Sequence, residues 1–460
     1  MSSMKMTQFD QDSEAVQHRQ VSLFNGQIIL NPSISKLNFF SFIAFQIVLS
    51  LILIPVALFQ VPLLGSYYKL SLDELKTLTS ILNLVNLILK IFLAAAFGKL
   101  CDSFGRKPMI VVGIIGLSIS VLLMPHLPSV YPFYIFLAIF LDLAALSLGI
   151  APLLADYIDY ETKGRAAGAF ATLGFFTAFA STYMNKNIDL NADLTSRFHL
   201  CGALTLVCGL LIAVFGLKGG LYHKETDKKA EEAKRKLALE ETNNSPLIVQ
   251  KEEEEIKSGF QAGLHEAKNN PWILTGYICA FIAAAHSGIS GFVLITYMTY
   301  LGGGNDGTNE AYALTNIQLL VAAFASLFFG FYADKYNKFK LIVILQTCTL
   351  LHTLCLVFTP SPHHILSYLA MFWAGIAAAG FSTITTQVLS KYPSPKHRAS
   401  VGAVGSIFTV LGGSIISIIG VFLSGFNPRM PFYMYLVFGM LGSFVLFSLY
   451  AKKRKVLDNL

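Results

Sequence analysis

Polar and apolar positions fall into long blocks along this chain. Apolar runs of roughly 20 residues, the length that a helix needs to cross the hydrocarbon of a bilayer, recur twelve times. They lie at about 39–64, 77–97, 108–124, 132–154, 164–183 and 198–217, and then at about 272–301, 311–332, 339–358, 365–389, 400–425 and 431–450. We predict an all-α membrane protein with twelve transmembrane helices, because barrel strands are only about 10 residues long and alternate in polarity.

The polar segments divide these runs into two groups of six. We predict a cytoplasmic tail over 1–38, a six-helix bundle over 39–217, a cytoplasmic linker over 218–270, a second six-helix bundle over 271–450 and a cytoplasmic tail over 451–460. The linker mixes opposite charges at helical spacing, which is typical of a solvated tether.

Composition agrees with this organisation. Apolar residues make up 54% of the chain and charged residues only 13%, which is more apolar side chain than a globular surface can cover. Loop lysines and arginines are concentrated on the side shared by the termini, for example Lys107, Lys340 and Lys396. The positive-inside rule therefore predicts cytoplasmic termini. The net charge of +7 follows from that topology and indicates no nucleic-acid surface.

The N-terminal segment does not resemble a secretory signal, since its first residues are polar. Asp10, Asp12 and Glu14 argue against a mitochondrial presequence, so a plasma or internal membrane is favoured, and a mitochondrial location stays open. We find no Walker loop, nucleophile elbow, zinc spacing or dinucleotide fingerprint. The sequence therefore predicts no enzymatic activity, metal or cofactor.

A short polar motif follows the second apolar run and recurs after the eighth. Gly98 matches Gly330, Asp102 matches Asp334 and Arg106 matches Lys338 without a gap. A repeat at an offset of about half the chain indicates two related halves, and two related membrane halves are typical of transporters.

The first copy, with Gly98, Asp102, Gly105, Arg106 and Lys107, resembles the loop motif Gly-x-x-x-Asp-x-x-Gly-Arg-Arg/Lys of the major facilitator superfamily. The resemblance covers the whole chain and implies two pseudo-symmetric six-helix bundles that transport by alternating access. It does not identify the substrate. Absences disfavour drug/proton antiporters, sugar porters and monocarboxylate carriers, because the Gly-Pro pair, the Pro-Glu-Ser-Pro-Arg element and the acidic-Gly opening of span one are missing.

The resemblance also implies a cytoplasmic gate that latches the two halves while the site faces outward. We assign Asp102, Arg106, Asp156 and Arg165 to this latch, with Gly98 and Gly105 allowing tight turns. Asp334 and Lys338 would form a weaker second latch, since Asn337 and Phe339 depart from the motif. The alternative is that these charges only satisfy the positive-inside rule and anchor helix ends.

Ionisable residues inside the hydrocarbon are few and therefore informative. Asp142 is the leading candidate for proton coupling, with a structural carboxylate as the alternative. Lys90 shares a helical stripe with Asn83 and Asn86, and it would snorkel, pair with Asp142 or bind an anionic substrate group. His286, beside Ser287 and Ser290, is either a proton relay or substrate ligand or a packed structural histidine. Gln46 and Gln387 are further candidate cavity contacts.

The function predicted from these residues is secondary transport of a small organic solute, coupled to protons by symport. Two alternatives remain open at this point: a transporter-derived accessory subunit of a larger membrane complex, and an uncoupled facilitator. The predicted partners are the lipid bilayer, a small-molecule substrate and protons, with membrane-complex subunits in the first alternative.

Overall fold

The computed structural model describes residues 21–32, 34–150, 153–186, 194–218, 260–289, 293–302, 305–394 and 397–459. Within these ranges helices and their connecting turns make up most of the chain, and the two strands form an antiparallel hairpin in which β1 (Ser22–Leu23) pairs with β2 (Ile28–Ile29). The predicted linker falls largely outside the described residues.

The described residues of the first half form seven α-helices, some extended by short π or 3-10 turns. They are α1 (Lys36–Pro62), α2 (Leu72–Phe104), α3 (Arg106–Leu123), α4 (Ile135–Ile150), α5 (Leu153–Tyr157), α6 (Lys163–Lys186) and α7 (Leu194–Leu204). The second half contains α8 (Phe260–Asn269), α9 (Pro271–Gly288), α10 (Leu294–Gly302), α11 (Asn305–Lys335), α12 (Lys338–Phe358), α13 (Ile365–Lys391), α14 (Arg398–Ser424) and α15 (Met430–Asn459).

Helical residues occupy each of the twelve predicted apolar runs. Over the described residues, seven helical segments are long and apolar enough to cross a membrane. The all-helical membrane fold is thereby confirmed, and the count of twelve spans stays a prediction. Helix ends follow local sequence: Ser71 and Glu74 form a capping box at the start of α2, and the positive φ of Gly105 (97°) lets the chain reverse into α3.

Most clusters of buried apolar side chains contain residues from only one of the two halves, and each half has clusters of its own. The clusters around Ile114 and Tyr134 draw their buried residues from the first half, and those around Leu345 and Leu314 draw theirs from the second. A smaller cluster crosses between the halves, where Cys101 and its neighbours on α2 and α3 pack against α14. This separation fits two bundles, each with its own core, which also pack against each other through α6 on α11 and α2 on α14.

The β1–β2 hairpin packs against the first half, which the sequence did not predict. Leu30 pairs with Ile158 by a β-bridge and is fully buried. The side chain of Asn31 donates to the Asp156 carbonyl at 2.7 Å, and the Asp159 amide donates to the Ile29 carbonyl at 2.9 Å. The hairpin is thereby tied to the segment that joins α5 to α6.

Candidate functional site

The ends of the helices that carry the repeated motif meet at one face of the protein, which we call the motif face. Arg106 starts α3 and is fully buried there. Its Nε donates to Asp156 Oδ2 at 2.9 Å and its Nη1 to Asp102 Oδ1 at 3.0 Å. Because a buried guanidinium needs compensating charge, these two carboxylates hold Arg106 in place within the first half.

Two further contacts tie this cluster to the second half. Arg398, the first residue of α14, donates from Nη1 to Asp156 Oδ1 at 3.1 Å. The Ser400 hydroxyl donates to Asp102 Oδ2 at 3.1 Å. Asp102 thus lies at the N-terminal turn of α14, where the helix dipole favours a negative charge. We call this set of contacts the first latch.

A second latch repeats the arrangement with the halves exchanged. Asp334 of α11 lies at the N-terminus of α6 and accepts the backbone amides of Gly164 at 3.0 Å and Arg165 at 2.9 Å. Arg165 Nε is also 3.5 Å from Asp334 Oδ2. Asp102 and Asp334, which match in the sequence repeat, therefore each face the first turn of a helix from the other half.

Several predicted gate and cavity residues take different positions from those expected. Gln387, predicted to line the cavity, donates to Asp334 Oδ1 at 2.8 Å and belongs to the second latch. Asp156 and Arg165, both assigned to one latch, lie in different ones: Asp156 pairs with Arg398 and Arg165 with Asp334. The Lys338 ammonium lies 5.5 Å from the Trp272 ring centroid, and no ion pair links it to Asp334 among the described residues.

Sequence reasoning also missed two basic residues at this face. Arg398-Ala399 matches Arg165-Ala166 of the first half, and this repeated pair is the signal that could have identified Arg398. Lys163 is buried and donates from Nζ to the Ser390 carbonyl at 2.9 Å, across the two halves. Burial, with a smaller effect of Arg398, lowers the pKa of Lys163 to about 7.

Small residues let the helices of the two halves approach closely near the latches. A Cβ built on Gly168 of α6 would lie 2.6 Å from Gly330 Cα on α11. Gly98 was expected to permit a turn, and that expectation is wrong: it lies inside α2, where an added Cβ would be 2.8 Å from Ala403 Cβ of α14. The repeated glycines Gly98 and Gly330 thus both serve close packing between halves.

In the described part of the chain, two cavities with mixed polar and apolar walls lie between the halves. The first, which we call the vestibule, has a volume of about 390 Å³ and adjoins the latches. Its lining includes Arg398, Ser390, Gln46, Ser406 and Thr409. Of the predicted cavity residues, Gln46 therefore does line a cavity.

The second, the central cavity, has a volume of about 380 Å³ and shares Thr409 with the vestibule. It is lined by Lys90 and Asp142 on one side and by Ala284, Ser287, Gly288, Thr409, Val410, Gly413, Ser414 and Ser417 of the other half. The Lys90 ammonium is 3.8 Å from Asp142 Oδ1, with side-chain exposures of 19% and 32%. The two intramembrane charges of the first half therefore form an ion pair that faces a cavity.

His286 lies apart from both cavities. It is buried within the second half, where its Nδ1 is 3.1 Å from the Tyr435 hydroxyl and its Nε2 is 3.2 Å from the Ala374 carbonyl. Its neighbour Ser287 lines the central cavity instead. The arrangement matches the packed structural alternative. The side chains of Asn83 and Asn86 lie outside the described part of the structure.

Comparison with known proteins identifies the family. A model of the Major Facilitator Superfamily matches residues 37–417 and 276–459. The chain belongs to the major facilitator superfamily. It is therefore an integral, multi-pass membrane protein of a transporter family and not an enzyme.

Solved members of the superfamily share the fold. The chain is similar to XylE, a proton:xylose symporter solved with 6-bromo-6-deoxy-D-glucose, at 15% identity and a TM-score of 0.63, over 89% of this chain and 94% of that one. It is also similar to FucP in the outward conformation, at 12% identity and a TM-score of 0.58, over 88% and 98% of the two chains. Identities this low show the fold alone.

A sequence relative covers a smaller region. The glycine betaine/proline/ectoine/pipecolic acid transporter OusA of Dickeya dadantii (strain 3937) is 25% identical over 176 residues. That match spans 34% of this chain and 35% of OusA, so the chain aligns with about a third of this relative's length.

Proposed function

We propose that this protein is a secondary transporter that moves a small organic solute by alternating access and couples the movement to protons through Asp142. The observation that carries the proposal is the continuity of the latches, the vestibule and the central cavity: the vestibule includes Arg398 of the first latch and shares Thr409 with the central cavity, which contains a partly exposed ion pair. XylE and FucP are both described as proton symporters, which supports proton coupling by family analogy.

The latches supply the contacts that such a cycle has to make and break. Hydrogen bonds between charged groups are strong, yet each carries only about 1.5–3 kcal/mol. Substrate binding can offset a free energy of that size if the solute binds one state better than the other. Opening of the motif face would separate α14 from the Asp102 and Asp156 carboxylates and α6 from Asp334. The vestibule would then connect the central cavity to the solvent at that face.

Asp142 is the residue that we assign to the proton. Its carboxylate faces the cavity from the wall of α4 and is partly exposed, so that water or solute can reach it. Lys90, which forms an ion pair with Asp142, is also at the cavity wall, so protonation of Asp142 would release a cation inside the site. A group that changes the charge of the site on protonation is suited to coupling.

The accessory-subunit alternative is less well supported. That alternative expects a solid interface between the halves, whereas two cavities with polar linings lie there. An uncoupled facilitator shares the cavities, and it is distinguished from a symporter by the effect of a proton gradient.

The test is uptake by purified protein in liposomes, screened against a metabolite library with and without an inward proton gradient. We expect at least one solute to accumulate when the gradient is present. Asp142→Asn should abolish accumulation and retain solute exchange, whereas Glu161→Gln, which removes an exposed carboxylate outside the cavities, should behave as wild type. Uptake that ignores the gradient would indicate a facilitator, and no uptake of any solute would refute transport.

A further inference from the structure

The described residues that line the central cavity carry no net charge. Among the described residues that line it, Lys90 and Asp142 are the two with ionisable side chains. Their 3.8 Å separation is longer than the roughly 2.7–2.9 Å of a tight charge-assisted hydrogen bond. The lysine therefore keeps donor capacity that a ligand can use, since an ammonium carries three N–H donors.

The wall contributed by the other half is neutral and rich in hydroxyl groups. Ser287 of α9 and Thr409, Ser414 and Ser417 of α14 line it. Hydroxyls both donate and accept hydrogen bonds, so they suit the uncharged polar groups of a solute. No aromatic ring belongs to the described lining of the central cavity, which disfavours a quaternary ammonium, because such cations are typically bound by aromatic faces.

Charge balance then restricts the solute, provided that Asp142 carries the coupled proton as proposed above. With Asp142 neutral, the Lys90 cation loses its partner in a site of low dielectric, which is unfavourable. A neutral or zwitterionic solute would leave that single positive charge in place, and a cationic solute would double it. A phosphate monoester, with a charge between about −1.5 and −2, would overcompensate. A solute with one negative charge restores neutrality.

We propose that the central cavity binds a small organic monocarboxylate, with the solute's carboxylate on Lys90 Nζ, protonated Asp142 beside it and the hydroxyl wall holding the rest of the solute. The missing acidic-Gly opening of span one argues against membership of the monocarboxylate-carrier subfamily, so the assignment depends on the charges and hydroxyls of this cavity and not on subfamily membership. The inference rests on the proposed function and adds the substrate class and the role of Lys90. Among the described residues that line the cavity, Lys90 is the basic side chain next to Asp142. The residues of α9 and α14 on the opposite wall present hydroxyl groups to this pair. Proton and monocarboxylate would enter together, so the loaded and empty sites carry the same net charge.

The test is equilibrium binding to the purified full-length protein, which needs no transport. The probes are lactate and gluconate as anions, lactamide and glucose as neutral counterparts, alanine as a zwitterion and choline as a cation. We expect at least one anion to bind wild-type protein more tightly as the pH falls from about 8 to about 5.5, because protonation of Asp142 frees Lys90. Asp142→Asn, which mimics the protonated state, should bind the same anion tightly at every pH.

Variants of Lys90 test the cation itself. In the Asp142→Asn background, Lys90→Gln should weaken anion binding at least about tenfold, as expected for loss of a charged hydrogen bond. Lys90→Arg retains the charge and should preserve binding, which separates loss of the cation from loss of the fold. Ser35→Ala, which alters a hydroxyl outside both cavities, serves as the matched control.

The outcomes separate this inference from the proposed function. Preference of the Asp142→Asn protein for a neutral, zwitterionic or cationic probe would overturn the monocarboxylate class while leaving transport intact. Unchanged anion affinity in Lys90→Gln would overturn the role of Lys90. If the anion binds as expected but a proton gradient drives no accumulation, proton coupling fails and the class stands. If neither these probes nor the metabolite library is bound or transported, both proposals fail.

Discussion

Replacing Arg398 tests whether the first latch holds the motif face closed. Arg398→Met keeps an unbranched side chain of similar reach and removes the donor that bonds Asp156 Oδ1 at 3.1 Å. Asp156 keeps its 2.9 Å contact with Arg106, so the charges within the first half stay paired. The change therefore acts on the contact between halves, which opening has to break in any case.

The size of the effect follows from the burial of the two partners. A hydrogen bond between charged groups contributes about 1.5–3 kcal/mol. The Asp156 side chain is 2% exposed but that of Arg398 is 18% exposed, and solvent screening lowers the value toward the smaller end of the range. A loss of about 1.5–2 kcal/mol would raise the open-to-closed ratio about 10- to 30-fold, since each 1.4 kcal/mol is a factor of ten.

The assay is the rate at which a membrane-impermeant maleimide labels a cysteine in the vestibule. Ser406→Cys supplies the site in a protein whose six native cysteines are replaced by alanine. With reagent applied at the motif face, the labelling rate follows the open fraction. Arg398→Met should be labelled about 10- to 30-fold faster, and Lys99→Met, which removes an exposed charge of the same face, should change the rate by less than about twofold. Equal rates for both variants would show that the Arg398 contact does not hold the face closed.

Three further predictions use the same labelling assay or a direct measure of local order. Gly168→Val places side-chain atoms against Gly330, whose Cα would lie only 2.6 Å from a Cβ at position 168. It should destabilise the closed state by about 1–3 kcal/mol and so speed labelling. Gly174→Val, with open space around it, should leave the labelling rate unchanged. Opening would expose Lys163 and restore its ordinary pKa of 10.5 from about 7, so the open form binds more protons between those values. The closed-to-open ratio should therefore grow as the pH rises through this window, by up to about tenfold per pH unit, and Lys163→Met should abolish this pH dependence of labelling. Asn31→Ala removes a 2.7 Å hydrogen bond of the hairpin and should speed hydrogen exchange over residues 21–32 about 2- to 10-fold; unchanged exchange would mean that other contacts hold the hairpin.

The sequence predicted those features of the fold and the site that depend on single segments of the chain. Apolar runs located the helices, because the length and polarity of a membrane helix are local properties. The repeated motif identified Asp102 and Asp334 as related positions, and the scarcity of intramembrane charge singled out Lys90 and Asp142. Their pairing was one of three alternatives and is the one that the structure contains.

Partner choice across the interface could not be predicted, because it depends on how helices distant in sequence pack. Asp156 binds Arg398, 242 positions away, and Gln387 turns toward Asp334 and away from the cavities. A buried histidine and a cavity histidine also look alike in sequence. Only the packing of α9 against α13 and α15 gives His286 its Ala374 and Tyr435 neighbours.

The β1–β2 hairpin is connected to the second latch by a hydrogen bond. Arg165 contacts Asp334 through Nε and donates from Nη1 to the Gln27 side chain. A rearrangement of the second latch would therefore change the position of the hairpin, which lies outside both cavities. A fluorophore attached to a cysteine at the exposed position of Ser22 would move with the hairpin. Its emission would then report opening of the motif face without a label in either cavity. Solutes could then be screened by their effect on the conformation before any radiolabelled substrate is known.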